Sequence, residues 1–442
     1  MTRKTLIRLL ILISIFTSAI SYIYASSLSI DTDYRLRGIS YQDTDFNSAS
    51  SSGSYGYYSQ RVQLTIAGSF PGVQIITKLT GIGVVGSTST PFATPYPNTT
   101  MTPFVENAYV VMNNINDLPI DVLAGKQPLK YGDGLIVDDN GVGFNALRII
   151  GHVKPLKLDV ELMTAKLTGG FTPNADTDLY GAIGTFEWRK QHCEFEYFRY
   201  VNDSGYVYAP PGQTPDITQQ VTKNFYDFRL GKRDDLSLYQ LEIAKQSGDI
   251  IESNNANINL DGFSYTVRGE LYGKHTKLGD VTARAFLAIN SGNDPANTTS
   301  DTSFSPDLTR QYDGLERAGY GILFAATPMS SYFTLPAEYS GVDTLSLGAV
   351  FSPLYGWSFS VDYFLYSASV GPNGAPDASG FEKLFGGLFT LGEEMDLSAK
   401  YVINKYVTTS LTYARYTPPA FAQFWPTSDP ATFYQFEISS KF

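Results

Sequence analysis

The side chains able to do chemistry are spaced in a way that suits a charged wall better than a catalytic centre. Arg35 and Arg37 stand two apart in a stretch where Ile30, Thr32, Tyr34 and Leu36 alternate with Asp31, Asp33, Arg35 and Arg37. Arg61, Lys126, Arg148, Arg229, Arg268 and Arg284 are spread along later segments of the same kind. In an extended chain a period of two gathers such cations on one face, away from the apolar side chains. The three histidines, His152, His192 and His275, fall beside short turns with no nucleophile motif near them, and no Gly-x-Ser-x-Gly elbow occurs. The chain therefore reads as a non-enzyme. Cys193 is alone and forms no internal disulfide, and three histidines furnish no rich metal site. Asp138-Asp139 and Asp294 are isolated acids of the kind usually spent on turns, since a hard cation needs several oxygens converging on one point. No cofactor or metal is expected.

Strands have to position these charges. Val62, Leu64 and Ile66 oppose Arg61, Gln63 and Thr65; Tyr265, Val267 and Leu271 oppose Thr266, Arg268 and Glu270; Met395, Leu397 and Ala399 oppose Asp396 and Lys400. In the final stretch Tyr434, Phe436, Ile438 and Phe442 share one side, and Gln435, Glu437, Ser439 and Lys441 share the other. Each strand has an apolar face and a wet one. A sheet buried between protein layers is apolar on both faces, so the pattern instead suits a barrel with lipid outside and water inside. A soluble β-sandwich also alternates, but it explains neither the number of strands nor a last strand that finishes on a bare Phe.

Short and long connections follow one another. Brief ones lie at Phe70-Pro71-Gly72, Asn116 to Pro119, Lys154-Pro155, Lys190-Gln191, Asp234-Asp235, Leu278 to Asp280, Leu354 to Gly356 and Asn404-Lys405. Longer ones include Gln42 to Ser54, Ser87 to Pro103, Pro128 to Asn140 and Gly292 to Tyr339. This is the rhythm of a transmembrane antiparallel β-barrel with short turns at the periplasmic rim and longer loops outside. About 18 strands are expected, with 16 as the competing number; the difference turns on whether Glu316 to Tyr339 holds a wall strand or a loop folded inward. Arg3, Lys4 and Arg8 precede an apolar run from Leu9 to Ile23 that stops at Ala25-Ser26-Ser27. The run is short of the ~20 residues a spanning helix needs, so residues 1–25 read as a secretory signal peptide and 26–442 as one barrel domain. The net charge of -11 argues against nucleic acid as a partner.

The stretch Gly125-Lys126-Gln127-Pro128-Leu129-Lys130-Tyr131-Gly132-Asp133-Gly134, with Asn145 and Arg148 following, resembles the alginate-export family of bacterial outer-membrane barrels. That family has a Gly-Arg-Gln strand end, a Tyr-Gly-Asp loop and a Phe-Asp-x-x-Arg-type strand at similar spacing. The resemblance implies an outer-membrane channel passing hydrophilic solutes or polysaccharide by passive diffusion, with Lys126 standing for the family's Arg, Asp133 matching the loop acid and Arg148 the strand Arg. It implies outer-membrane lipid, lipopolysaccharide and the barrel-assembly machinery as partners. Lys keeps the charge but loses the planar fork that grips a carboxylate with two bonds, and Asn145 stands where the family usually has Asp.

On this reading Arg35, Arg37, Arg61, Lys126, Arg148, Arg229, Arg268 and Arg284 line the pore, and Arg310, Tyr312 and Arg317 belong to a constriction loop within Gly292 to Tyr339. Two fates are open to the arginines. They offer a positive path to a polyanion, or they pair with Asp31, Asp33, Asp227, Glu242, Glu270 and Asp362 and knit the wall across strands. A non-selective porin and a barrel with a plugged lumen that works through its outer loops are the alternatives.

Overall fold

The computed structural model describes residues 27–49, 53–85, 100–168, 176–203, 207–208, 216–252, 257–275, 279–294, 297, 299–309, 321–327, 330–333, 335, 339–353, 355–371, 389–419 and 429–442. The proposed signal peptide and Arg310, Tyr312 and Arg317 lie outside the described residues.

Eighteen strands form one closed antiparallel wall. The first six are β1 (Ser27–Gln42), β2 (Tyr55–Phe70), β3 (Val73–Val84), β4 (Phe104–Met112), β5 (Ile120–Gln127) and β6 (Phe144–Val153). Next come β7 (Leu158–Thr168), β8 (Thr177–Trp188), β9 (Gln191–Asn202), β10 (Asp216–Arg233), β11 (Ser237–Glu252) and β12 (Phe263–His275). The last six are β13 (Gly279–Asn290), β14 (Ser340–Ser352), β15 (Trp357–Val370), β16 (Thr390–Val402), β17 (Val407–Thr417) and β18 (Ala431–Lys441). Each pairs with the next in sequence, and β18 returns to β1 with Arg37 opposite Glu437. Thr32 and Phe442 exchange backbone hydrogen bonds of 3.1 and 2.9 Å across that seam. Closure leaves no strand edge for lipid to meet, where an unpaired backbone amide would cost several kcal/mol.

The alternation in the sequence becomes inside and outside. On β1, Ile30 is 59% exposed on the outer face while Arg37 is 5% exposed on the inner one. Leu147, Leu162, Ile243, Val267, Leu347 and Leu397 extend the apolar outer band around the wall. Exposed aromatics fringe it: Trp188, Tyr239, Trp357, Tyr406 and Phe442 toward the short turns, and Tyr58, Tyr180, Tyr226, Phe263 and Tyr434 toward the long loops. Trp357 packs tilted against Tyr401 at 4.7 Å, and Tyr406 stacks on Phe442 at 5.3 Å. Such girdles mark the level where hydrocarbon gives way to headgroups. Pro71-Gly72 turns the chain from β2 to β3, with Gly72 at φ +72, a region that costs glycine nothing.

Among the described residues between Glu316 and Tyr339 none belongs to a wall strand. Of these, Gly321 to Ala325 runs inside the barrel, and Ala325–Thr327 forms a small ladder with Ser330–Ser331.

Candidate functional site: the lumen constriction

Most of the inward arginines are bonded to carboxylates. Arg37 Nε donates to Glu437 at 2.7 Å, and Arg61 reaches Asp33 at 3.1 Å. Arg148 forks onto Glu161 with bonds of 2.6 and 2.8 Å. Arg229 lies 3.4 Å from Glu194 and 4.0 Å from Glu242 and donates to Gln240 at 3.0 Å. Arg268 bonds Glu270 at 2.5 Å and stands 3.7 Å from Asp133. Arg284 forks onto Asp362, two strands away, because Gly348 between them has no side chain in the path. Arg35 sits opposite Arg61 on the same inner face. Of the acids expected to take up these arginines, Asp33 pairs with Arg61, Glu242 with Arg229, Glu270 with Arg268 and Asp362 with Arg284.

Lys126 corrects the expectation. Its register partners are Ala108 and Asn145, and Asn145 shares the outer face with Leu147 and Ile149. Lys126 thus faces outward beside Ile120, Val122 and Ala124, and its ammonium bends back to the Val105 carbonyl at 2.7 Å. A long stem with a polar tip tolerates that place near the rim.

The constriction comes from two segments, and the connection between β5 and β6 is one of them. From Pro128 to Gly143 the chain turns into the lumen instead of standing above it, which the sequence reading did not anticipate. Leu129, Tyr131, Leu135, Ile136 and Val137 are buried against Met163, Leu179, Ile183, Phe198, Phe225 and Ala244 of the inner wall. The apolar triplet Leu135-Ile136-Val137, at the centre of a loop that also carries Leu129 and Tyr131, was the available signal. Tyr131 donates to Glu161 at 2.5 Å, and its ring lies 5.8 Å beneath the Arg148 guanidinium. Asp138 and Asp139 serve the loop's own turns, accepting from Asn140 N at 2.8 Å and Gly143 N at 2.9 Å. Burial pushes the Asp139 carboxyl up to about 6, with Gly143 N–H opposing and Asp138 and Glu106 adding to the rise. Among the described residues no group of His, Cys, Asp and Glu is arranged to hold a metal ion.

The β13–β14 connection supplies the second segment in two pieces. Lys223, 2% exposed, donates to Ser305 O at 2.7 Å and pairs with Asp307 at 2.9 Å, which holds residues 303–309 inside. Asp138 N donates to Leu308 O at 2.7 Å, so the two inward segments are joined. Across the lumen, Leu323 and Phe324 donate backbone N–H to Glu394 at 2.7 and 2.9 Å. Phe324 stacks on Tyr366 at 4.3 Å and Tyr416 at 5.0 Å, and Phe46 packs into the same cluster. Phe304, Phe324 and Phe333 of this connection pack inside the barrel.

Acids prevail in the space so formed. Beneath the 128–143 loop lie Glu161, Glu194, Glu196, Asp227 and Glu242, faced by Arg148, Arg229 and Arg268. On the opposite side Glu394 and Asp396 are buried beside the 321–325 segment. His152 stands away from this region at the short-turn end, its two ring nitrogens 2.8 and 3.1 Å from Asp159 and Asp121.

No family model and no curated protein matches the chain. Solved structures do. OccK8 (OprE) of Pseudomonas aeruginosa superposes with a TM-score of 0.56 at 10% identity, over 95% of this chain and 99% of that one. OccK2 (OpdF) of the same organism, in complex with glucuronate, gives 0.53 at 11% identity over 95% and 99%. OccAB1 of Acinetobacter baumannii gives 0.52 at 9% identity over 95% and 98%. These neighbours are outer-membrane porins, and the likeness establishes the 18-strand barrel as a shared fold.

Proposed function

We propose that the chain is a passive channel of a bacterial outer membrane, admitting small hydrophilic solutes and favouring cations and neutral molecules over polyanions. The observation that carries the reading is the acid excess at the constriction, where Glu194, Glu196, Asp227 and Glu242 gather around Arg229. A narrow lumen with low-dielectric walls focuses such a field on whatever passes. The apolar outer band and its aromatic fringes support a membrane location, with lipid and lipopolysaccharide around the wall and the short turns on the periplasmic side. No catalytic step is assigned to the chain.

Polysaccharide export draws less support. Lys126 lies outside the lumen, and Arg148 already spends its fork on Glu161. A polyuronate would have to displace bonded carboxylates to reach these guanidinium groups. OccK2 binds glucuronate in its own structure; in this chain Arg37, Arg61, Arg148, Arg229, Arg268 and Arg284 are already paired with carboxylates. The joined inward segments favour a second reading, a lumen sealed as a plug.

Planar-bilayer recording of the refolded protein under a salt gradient tests all three. A cation-selective reversal potential is expected. Anion selectivity with block by a polyuronate would restore the exporter reading, and a folded barrel without current would favour the plug.

A further inference from the structure

Glu242, Glu196 and Asp227 are 1%, 5% and 6% exposed, and each keeps one buried carboxyl oxygen without a hydrogen-bond partner: Glu242 Oε1, Glu196 Oε1 and Asp227 Oδ1. They stand on the neighbouring strands β9, β10 and β11, with Asp227 opposite Glu196 in register. The 128–143 loop covers them closely: a Cβ on Gly132 would come within 2.5 Å of Glu242 Oε1. Burying three neighbouring carboxylates is costly unless some of them carry protons, because like charges in a desolvated space disfavour joint ionisation; Arg229, 4.0 Å from Glu242, and Gln240 Nε2, 3.4 Å from it, offset only part of that cost.

We infer that the 128–143 loop is a proton-held gate, docked on the inner wall while the acids beneath it share protons and released when they ionise. The inference rests on the channel reading. Docking takes up protons and opening releases them to lumen water, so acid closes the gate and alkali opens it.

The remaining charges facing the loop do not reverse that sign. On the wall, Glu106 is matched by Lys78 at 2.6 Å, Glu161 by Arg148, and Glu270 by Arg268. Glu194 shares Arg229 with Glu242, and the His192 ring stands 3.9 Å from Glu194. Lys223 is taken by Asp307 of the second inward segment. Within the loop, Lys130 faces Asp138 at 3.5 Å and Asp133 faces Arg268 at 3.7 Å. Asp139, with its carboxyl raised to about 6 by burial, works in the same direction as the three acids.

The test is single-channel conductance of the wild-type chain across a pH series, with hydrogen exchange of amides 129–142, corrected for the intrinsic pH dependence, as a second readout. Each proton released on opening changes the open-to-closed ratio about tenfold per pH unit, so conductance and exchange should both rise steeply with pH. Glu242→Gln and, separately, Asp227→Asn should each lower that slope by about tenfold per unit and keep the loop docked to higher pH. Gly132→Ala should open the channel at lower pH by pressing the loop off Glu242. A wild type whose conductance and loop exchange ignore pH overturns the gate, as do carboxamide variants that titrate like the wild type. Absence of current at every pH, with loop exchange still rising with pH, overturns the channel reading and leaves the proton-held loop standing.

Discussion

Gly348→Ala is the substitution for which the structure gives the most definite cost. Arg284 on β13, Gly348 on β14 and Asp362 on β15 are in register, and the guanidinium forks onto the carboxylate over the bare glycine. A Cβ at 348 would lie 2.0 Å from Asp362 Oδ1 and 2.9 Å from Val361 O, so the carboxylate must swing away. The side chains are 36% and 13% exposed, which puts the lost pair near the lower end of the range for charged hydrogen bonds, about 2 kcal/mol. Alanine returns about 0.5 kcal/mol by restricting the unfolded chain, leaving a net loss of about 1.5 kcal/mol. Gly269→Ala is the matched control, since its Cβ would meet nothing within 4 Å. It should stabilise by about 0.5 kcal/mol. Equilibrium urea unfolding in detergent micelles, followed by the heat-modifiable gel shift, should separate the two by about 2 kcal/mol. In an Asp362→Ala background most of the Gly348→Ala cost should vanish. A Gly348→Ala variant as stable as Gly269→Ala, or a cost undiminished in the double mutant, would refute the reasoning.

Arg148→Ala leaves Glu161 buried with only the Tyr131 hydroxyl to answer it; a loss of about 3 kcal/mol in the same unfolding assay is expected, and Arg148→Lys should recover part of it. Lys126→Glu should leave the reversal potential at its wild-type value, because the side chain lies on the outer face; a shift comparable to that of Arg229→Gln would place it in the lumen after all. Asp234, in the β10–β11 turn, accepts from Lys232, Leu236 N and Ser237 N, and these bonds hold its carboxyl well below the usual carboxylate range. Its contribution is present above the ordinary carboxylate pKa and is lost only as pH falls through the depressed folded value, so Asp234→Ala should destabilise the wild-type turn at neutral pH and flatten its acid response. Proton-exchange rates of Leu236 and Ser237 amides would show either outcome.

The strands, their number and the rhythm of the connections were legible because a period of two is local: Ile30 and Arg37 declare their faces without reference to any distant residue. Ion pairs within one strand or across two neighbours, such as Arg268–Glu270 and Arg61–Asp33, followed from the same parity. Arg37–Glu437 did not, since its partner sits on the strand that closes the ring and adjacency there exists only once the barrel exists. Lys126 was misread because a motif outweighed parity; Ile120, Val122 and Ala124 on its own strand already pointed outward. The inward course of the 128–143 loop depends on tertiary burial of Leu135, Ile136 and Val137, and a run of three apolar residues fixes neither a direction nor a partner. The acid bed stayed hidden for a related reason. Glu196, Asp227 and Glu242 are separate in sequence and become neighbours only through the pairing of β9, β10 and β11.

The seam between β1 and β18 joins side chains 400 positions apart, the longest sequence separation among the ion pairs of the described residues. Loop-closure entropy rises only logarithmically with such a distance, so at equilibrium the long detour adds little beyond what a shorter one costs. Kinetically it dominates, because contacts between remote parts of a chain form late. Before that meeting the sheet has two raw margins, each able to template a stray strand. The Thr32–Phe442 exchange and the Arg37–Glu437 pair therefore act as a final clasp, and damage to them should lengthen the vulnerable interval of assembly more than it weakens the finished wall.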